Sequence, residues 1–227
     1  NTLPMPRQYY NCYEWPLEDV GGTADFRIEV HTTGAVMTDY SCGRGGMIFS
    51  CSIRYEDREP LTLVSDETWQ VRLCPRQKSA TVYDETLPQP AWEPAVSIPA
   101  ADCPWNLCPA DILMLTEETV VPQDIAVTQQ DGGVRYRFTF DRIYSAYLCA
   151  TVEKTGDAPL PVTFWISELE EPSPAQPSEQ LCVQSNTLHY RGLRMWSIGE
   201  VTAFAPLLPD GTAPQIRLHL QFQHYPY

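Results

Sequence analysis

Flat aromatic rings in loops are the groups in this sequence best suited to recognition chemistry. Tyr9, Tyr10, Tyr13 and Trp15 cluster near the start, and Trp92 and Trp105 sit in proline-rich stretches where exposure is expected. Sugars stack their apolar C–H faces on such rings, while nearby amides and carboxylates take the hydroxyls. Tyr13, Trp15, Trp92 and Trp105 are therefore the candidate carbohydrate-binding residues. Core packing is the competing reading for any aromatic side chain. Trp69, flanked by alternating residues in ETWQVRL, is read as core.

Carboxylates offer hydrolysis. Glu168, Glu170 and Glu171 in WISELEEP end a strand-like run, which places Glu168 and Glu170 on one face roughly 7 Å apart. That spacing is within reach of a glycosidase pair. Paired catalytic carboxylates, however, flank the scissile bond, so the cluster reads as a solvated strand end, as do Glu117 and Glu118. The sequence has no G-x-S-x-G elbow, P-loop or G-x-G-x-x-G. Gly43, Gly45 and Gly46 in SCGRGG precede a strand rather than a helix and read as a hairpin. The four histidines (His31, His189, His219, His224) are scattered, and no Cys pair has the spacing of a zinc site. No catalytic residue and no metal ligand is assigned.

The eight cysteines are too sparse for a small disulfide scaffold. Several lie in apolar runs such as MIFSCSIRY and AYLCATV, where a free thiol packs as a small hydrophobe. The chain has no N-x-Ser/Thr sequon and no visible signal peptide. Free thiols and a reducing, cytoplasmic setting are expected over a secreted one, with Cys103 and Cys108 the loop pair to check for a bridge. Fifteen Lys and Arg against 29 Asp and Glu give a net charge of −14. That charge argues against nucleic acid and anionic membrane as partners, since both need clustered cations. No apolar run approaches the roughly 20 residues of a spanning helix.

The elements that must position these groups are strands. Phe26, Ile28 and Val30 alternate with polar residues, as do Trp69, Val71 and Leu73, then Val134, Tyr136, Phe138 and Phe140, then Ile216, Leu218, Leu220 and Phe222. Period two is the mark of half-buried antiparallel strands. Gly21-Gly22, Asp131-Gly132-Gly133 and Asp210-Gly211 supply residues that tolerate positive φ, as tight hairpins require. Prolines crowd Pro88 to Pro109 and Pro159 to Pro177, which excludes a long helix or a central strand from both regions. PSPAQPSEQ at 172–180 reads as an exposed loop. The fold class is all-β, with two antiparallel β-sandwiches in tandem. The first covers 1–100, a linker 101–118, and the second 119–227.

The string IRYEDREPLTLVSDETWQVR (53–72) resembles the accessory β-sandwich of bacterial α-L-rhamnosidases and related glycoside hydrolases. PRQYYNCYEWPLEDVGGTADFRIEV is similar to that domain's earlier segment, VYDETLPQPAWEPAV to the next in shortened form, and PADILMLTEE to its exit. FDRIYSAYLCATVE resembles the family's following strand pair, with Ala146 in place of a glycine and Asp141-Arg142 displacing another. TFWISELEE, LHYRGLRMWSIGEV and QFQHYPY continue the match in order, the second of these most sharply.

The resemblance implies tandem jelly rolls of galactose-binding-like type, the first N-terminally truncated. It implies a non-catalytic scaffold, with carbohydrate and a downstream catalytic (α/α) barrel of the same polypeptide as partners. It carries over no catalytic residue, because those lie in the barrel. Calcium enters only because some family members bind L-rhamnose with it, and no ligand of such an ion matches a residue here. The alternative is a stand-alone interaction or assembly domain with no sugar role.

Overall fold

A computed structural model describes residues 48–55, 58–98, 116–130, 132–168 and 176–224, and the backbone of 9–12 and 106–109. Among these residues every regular element is a strand, and no helix is long and apolar enough to cross a membrane. Contacts divide the chain into two units. One comprises Asn1–Arg72 with Ala91–Met114, the other Leu73–Pro90 with Leu115–Tyr227.

In the first unit, β1 (Tyr9–Cys12) runs parallel to β8 (Asn106–Pro109). β2 (Ser50–Ile53) and β3 (Leu61–Val64) form an antiparallel pair, as do β4 (Gln70–Val71) and β7 (Glu93–Pro94). The alternation of Trp69, Val71 and Leu73 does not bury a face here. Trp69 is half-buried against Phe49, with ring centroids 5.1 Å apart, and its indole N–H donates to the Val64 carbonyl. Val71 is 51% exposed and Leu73 82%. The strand is too short to present a face. Pro75 has no amide to continue a ladder, and the chain turns there, with Gln77 N–H donating to Cys74 O. The run of Phe26, Ile28 and Val30, the Gly21-Gly22 turn and the SCGRGG glycines lie outside the described residues.

The second unit is one nine-stranded sheet. Its strands are β5 (Gln77–Ser79), β6 (Val82–Asp84), β9 (Thr116–Val120), β10 (Asp124–Gln130), β11 (Gly133–Glu153), β12 (Leu160–Ser167), β13 (Glu179–Val183), β14 (Thr187–Pro206) and β15 (Gln215–His224). The two long strands organise it. The first part of β11, Gly133–Thr139, pairs with β10 on one edge and with the end of β14 on the other. After a register shift between Thr139 and Tyr144, β11 exchanges β10 for β15 and continues along the start of β14. Bulges let strands bend and pass from one layer to another. One arm thus runs β10–β11–β14–β12–β13–β6–β5, and the other β14–β11–β15–β9.

A single apolar core draws on both arms. Val134, Phe138, Ala146, Leu148 and Val152 of β11 meet Val162 and Phe164 of β12, Val201 and Ala203 of β14, and Leu220 of β15. The architecture is all-β and β-sandwich-like. The period-two runs Val134–Phe140 and Ile216–Phe222 do turn one face into this core, although Phe222 stays partly exposed. Gly132 lies in the β10–β11 connection beyond the Gln130↔Gly133 pair, at a φ of 73° that side chains disfavour.

Three readings of the sequence need correction. The turn at Asp210-Gly211 does not close a hairpin, because β14 ends beside β11 and β12, whereas β15 lies between β11 and β9. It sits in a crossover, held by Asp210 Oδ1, which accepts from the amide and hydroxyl of Thr212. The proline-rich region from Pro159 does hold a central strand, β12. Pro161 is tolerated because β12 pairs with β14 only over Thr163–Ser167, so at Pro161 the strand has a neighbour on one side alone. Finally, residues 73–90, which fall in the first half by sequence, join the second unit. β6 runs parallel to β13, with Val82 opposite Gln180.

Candidate functional site

Of the four aromatic candidates, Tyr13, Trp15 and Trp105 lie outside the described residues. Trp92 is described and 47% exposed. The β4–β7 register explains its setting. Gln70 faces Pro94 and Val71 faces Glu93, so the next step brings Arg72 opposite Trp92. The guanidinium lies over the indole, 4.3 Å from the ring centroid. Gln70, two residues from Arg72, shares that face and is exposed. A flat ring beside a guanidinium and an amide is a combination suited to sugar hydroxyls and C–H faces.

In the second unit the outer face of β14–β11–β15–β9 is a row of polar groups that satisfy one another. Glu117 accepts from Arg191 at 2.8 Å and from Gln223 at 2.7 Å, and Arg191 also lies over the Tyr147 ring at 5.0 Å. Thr151 meets His189 at 3.2 Å and Arg217 pairs with Glu153 on this face, while Glu118 meets His224 at 3.1 Å on the opposite face beside Phe222. Cys149 sits across from both Arg191 and His219. Burial pushes its thiol up to about 11, so it stays protonated and offers no thiolate nucleophile. Burial also pushes His219 down, toward the neutral imidazole. Cys51, Cys74, Cys149 and Cys182 are free thiols, while the Cys103–Cys108 pair falls outside the described side chains.

Glu168 is exposed just beyond the end of β12, in accord with a solvated strand end, and Glu170 and Glu171 lie outside the described residues. No group of three or more His, Cys, Asp or Glu among the described residues is placed to hold a metal ion. A shallow, mostly apolar groove of about 490 Å³ is lined by Leu73, Pro75, Leu87, Pro88 and Pro90, with Gln89 its one polar side chain.

The most unusual group is one the sequence reading passed over. The stretch 172–180 reads as an exposed loop, yet Ser178 N–H donates to the Phe164 carbonyl and Glu179 is 0% exposed. Glu179 opens β13 opposite Phe164, facing the core. The indole N–H of Trp196 donates to its Oε1 at 2.7 Å, while Oε2 has no hydrogen-bond partner. The signal was present in SEQLCV. Glu179, Leu181 and Val183 form the buried phase of a period-two strand, with an acid in an apolar position.

No protein-family model matches the chain, and no curated protein does either. Its class is set by architecture alone, an all-β, β-sandwich-like protein.

Proposed function

We propose that this chain is the non-catalytic front of a rhamnosidase-like glycoside hydrolase, two jelly-roll β-sandwiches in tandem that scaffold a downstream barrel and bind carbohydrate. The order of motifs from IRYEDREPLTLVSDETWQVR to QFQHYPY supports the family, and the β-sandwich-like fold is compatible with it. The observation that carries the sugar-binding part is the half-exposed Trp92 indole with Arg72 over it and Gln70 beside it. Free thiols at Cys51, Cys74, Cys149 and Cys182 support a reducing, cytoplasmic setting. Calorimetric titration with L-rhamnose and short rhamnosides tests the proposal. Trp92→Ala is expected to weaken binding about tenfold, or about 1.4 kcal/mol, with the folding transition unchanged. Equal affinity in both proteins would remove Trp92 from the site.

A second reading, an assembly domain with no sugar role, is favoured by one observation. β10 pairs only with β11 among the described residues, and Ile125 and Val127 stay 53% and 57% exposed although they stand opposite core residues Phe138 and Tyr136. Uncapped apolar strands of this kind often pack against another body. Sedimentation across a hundredfold concentration range decides it. Reversible association lost in Val127→Lys supports assembly, and a strict monomer rejects it.

A further inference from the structure

Among the described residues the second unit buries three carboxyls, and two of them meet strong partners. Glu85 Oε2 accepts from the amides of Gln184 and Ser185 and from the Ser185 hydroxyl, and Glu200 takes the Arg137 guanidinium at 2.6 and 2.8 Å. Glu179 is different. It receives one N–H, from Trp196, and its second oxygen has none. A buried carboxylate so poorly served is costly, whereas a neutral carboxylic acid is far cheaper.

The seat itself is shaped for the group. Between Tyr147 and Cys149, β11 advances two residues while β14 retreats four, from Met195 to Arg191, so β14 bulges there. Gly192 lies in that bulge against the carboxyl. A Cβ at this position would come within 2.7 Å of Oε1 and 3.0 Å of Oε2. A side chain at this position would push the carboxyl out of its present seat.

We propose that Glu179 is a proton-operated pin. As a neutral acid it seats the start of β13 in the β14 bulge, and on losing its proton it loosens β13 together with the β5–β6 ribbon that pairs with it.

The surroundings bear on the proton as follows. Burial pushes the Glu179 carboxyl up to about 7, against the opposing pull of Trp196, Tyr190 and the Arg194 charge on β14. On β11 the Cys149 thiol, itself held protonated by burial, lies within electrostatic reach of the carboxyl. Tyr190, whose hydroxyl lies near the carboxyl without a well-formed hydrogen bond to it, is pushed well above the ordinary phenol range by burial and by Glu179. The Tyr190 ring lies 5.9 Å from that of Tyr83 on β6, and Gln77 on β5 also acts on its hydroxyl. Arg194 is the one cation in this set, and it is engaged over the Trp196 ring at 4.2 Å. A raised folded-state value means that the stabilisation is complete below about pH 4.5 and is lost as pH climbs through 7.

The test compares the full chain with Glu179→Gln, a neutral side chain of the same shape, by thermal unfolding from pH 5 to pH 8. The wild-type Tm is expected to fall by roughly 5–10 °C over that range, and the variant to stay nearly flat. Relative to the intrinsic base-catalysed rate, the protection of the Gln180–Val183 amides should be lower at pH 8 than at pH 5 in the wild type and unchanged in the variant. Histidine titration affects both proteins equally and drops out of the comparison. A variant whose Tm falls as steeply as wild type overturns the proposal. If Glu179→Gln does not fold, the wild-type Trp196 indole resonance decides. A shift with a midpoint near pH 7 supports the pin, and a signal flat from pH 5 to pH 8.5 refutes it.

Discussion

Replacing Glu85 by alanine is expected to lower the stability of the second unit by about 3 kcal/mol. Its Oε2 lies 2.8 Å from the Gln184 amide and 2.9 Å from both the amide and the hydroxyl of Ser185, and its own amide donates to the Cys182 carbonyl. Residues 84 and 85 thus staple the Leu73–Pro90 segment to the β13–β14 turn. Alanine leaves two backbone N–H groups without their charged acceptor, and bonds to ionised groups are the stronger ones. Urea unfolding at pH 7 measures the loss. A change under 1 kcal/mol would mean that the segment is held by its parallel β6–β13 pairing alone.

The same residue has a pH signature opposite to that of Glu179. Burial works against the Glu85 charge, but the Ser185 and Gln184 bonds outweigh it and hold the carboxyl below its ordinary value. Its contribution is complete above about pH 4.5 and is lost as pH falls through the lowered folded value. The two acids thus act in opposite directions, Glu85 losing its contribution on the acid side and Glu179 on the alkaline side. Glu85→Gln should flatten the acid limb of that profile and leave the alkaline limb untouched.

The second large effect is expected at Phe164. The side chain is fully buried on β12, opposite Ala203 on one side and Glu179 on the other. Phe164→Ala removes a ring from a core that the long strands cannot collapse to refill, with an expected loss of about 4 kcal/mol. Val127→Ala, on the exposed β10 edge, should change stability by less than about 1 kcal/mol. A denaturant series on both variants separates the two positions. Similar losses at both would contradict the placement of the core.

The sequence carried the strands of the second unit well because one face of each is buried, and burial leaves a period-two trace. Val134, Tyr136, Phe138 and Phe140 show it plainly. It misled at Trp69, Val71 and Leu73, where the same alternation yields only a two-residue strand with Val71 and Leu73 exposed. Pro161 argued against a central strand, although the strand's neighbours are offset so that its missing amide is harmless. The pairing of Val82 with Gln180 joins residues nearly a hundred positions apart, and nothing local encodes it. Glu179 was hidden by composition, since the prolines and serines before it read as loop while its phase with Leu181 and Val183 read as strand. Trp92 was legible as an exposed ring, but its Arg72 partner follows from the β4–β7 register and not from spacing.

The central functional claim is carbohydrate binding at the Trp92 face, and a heteronuclear NMR titration of the full chain with L-rhamnose tests it most directly. The predicted result is a saturable shift of the Trp92 indole signal and of the Arg72 and Gln70 amides, with the Trp196 indole unmoved. Spectra that stay unchanged at saturating L-rhamnose and related sugars would contradict the claim.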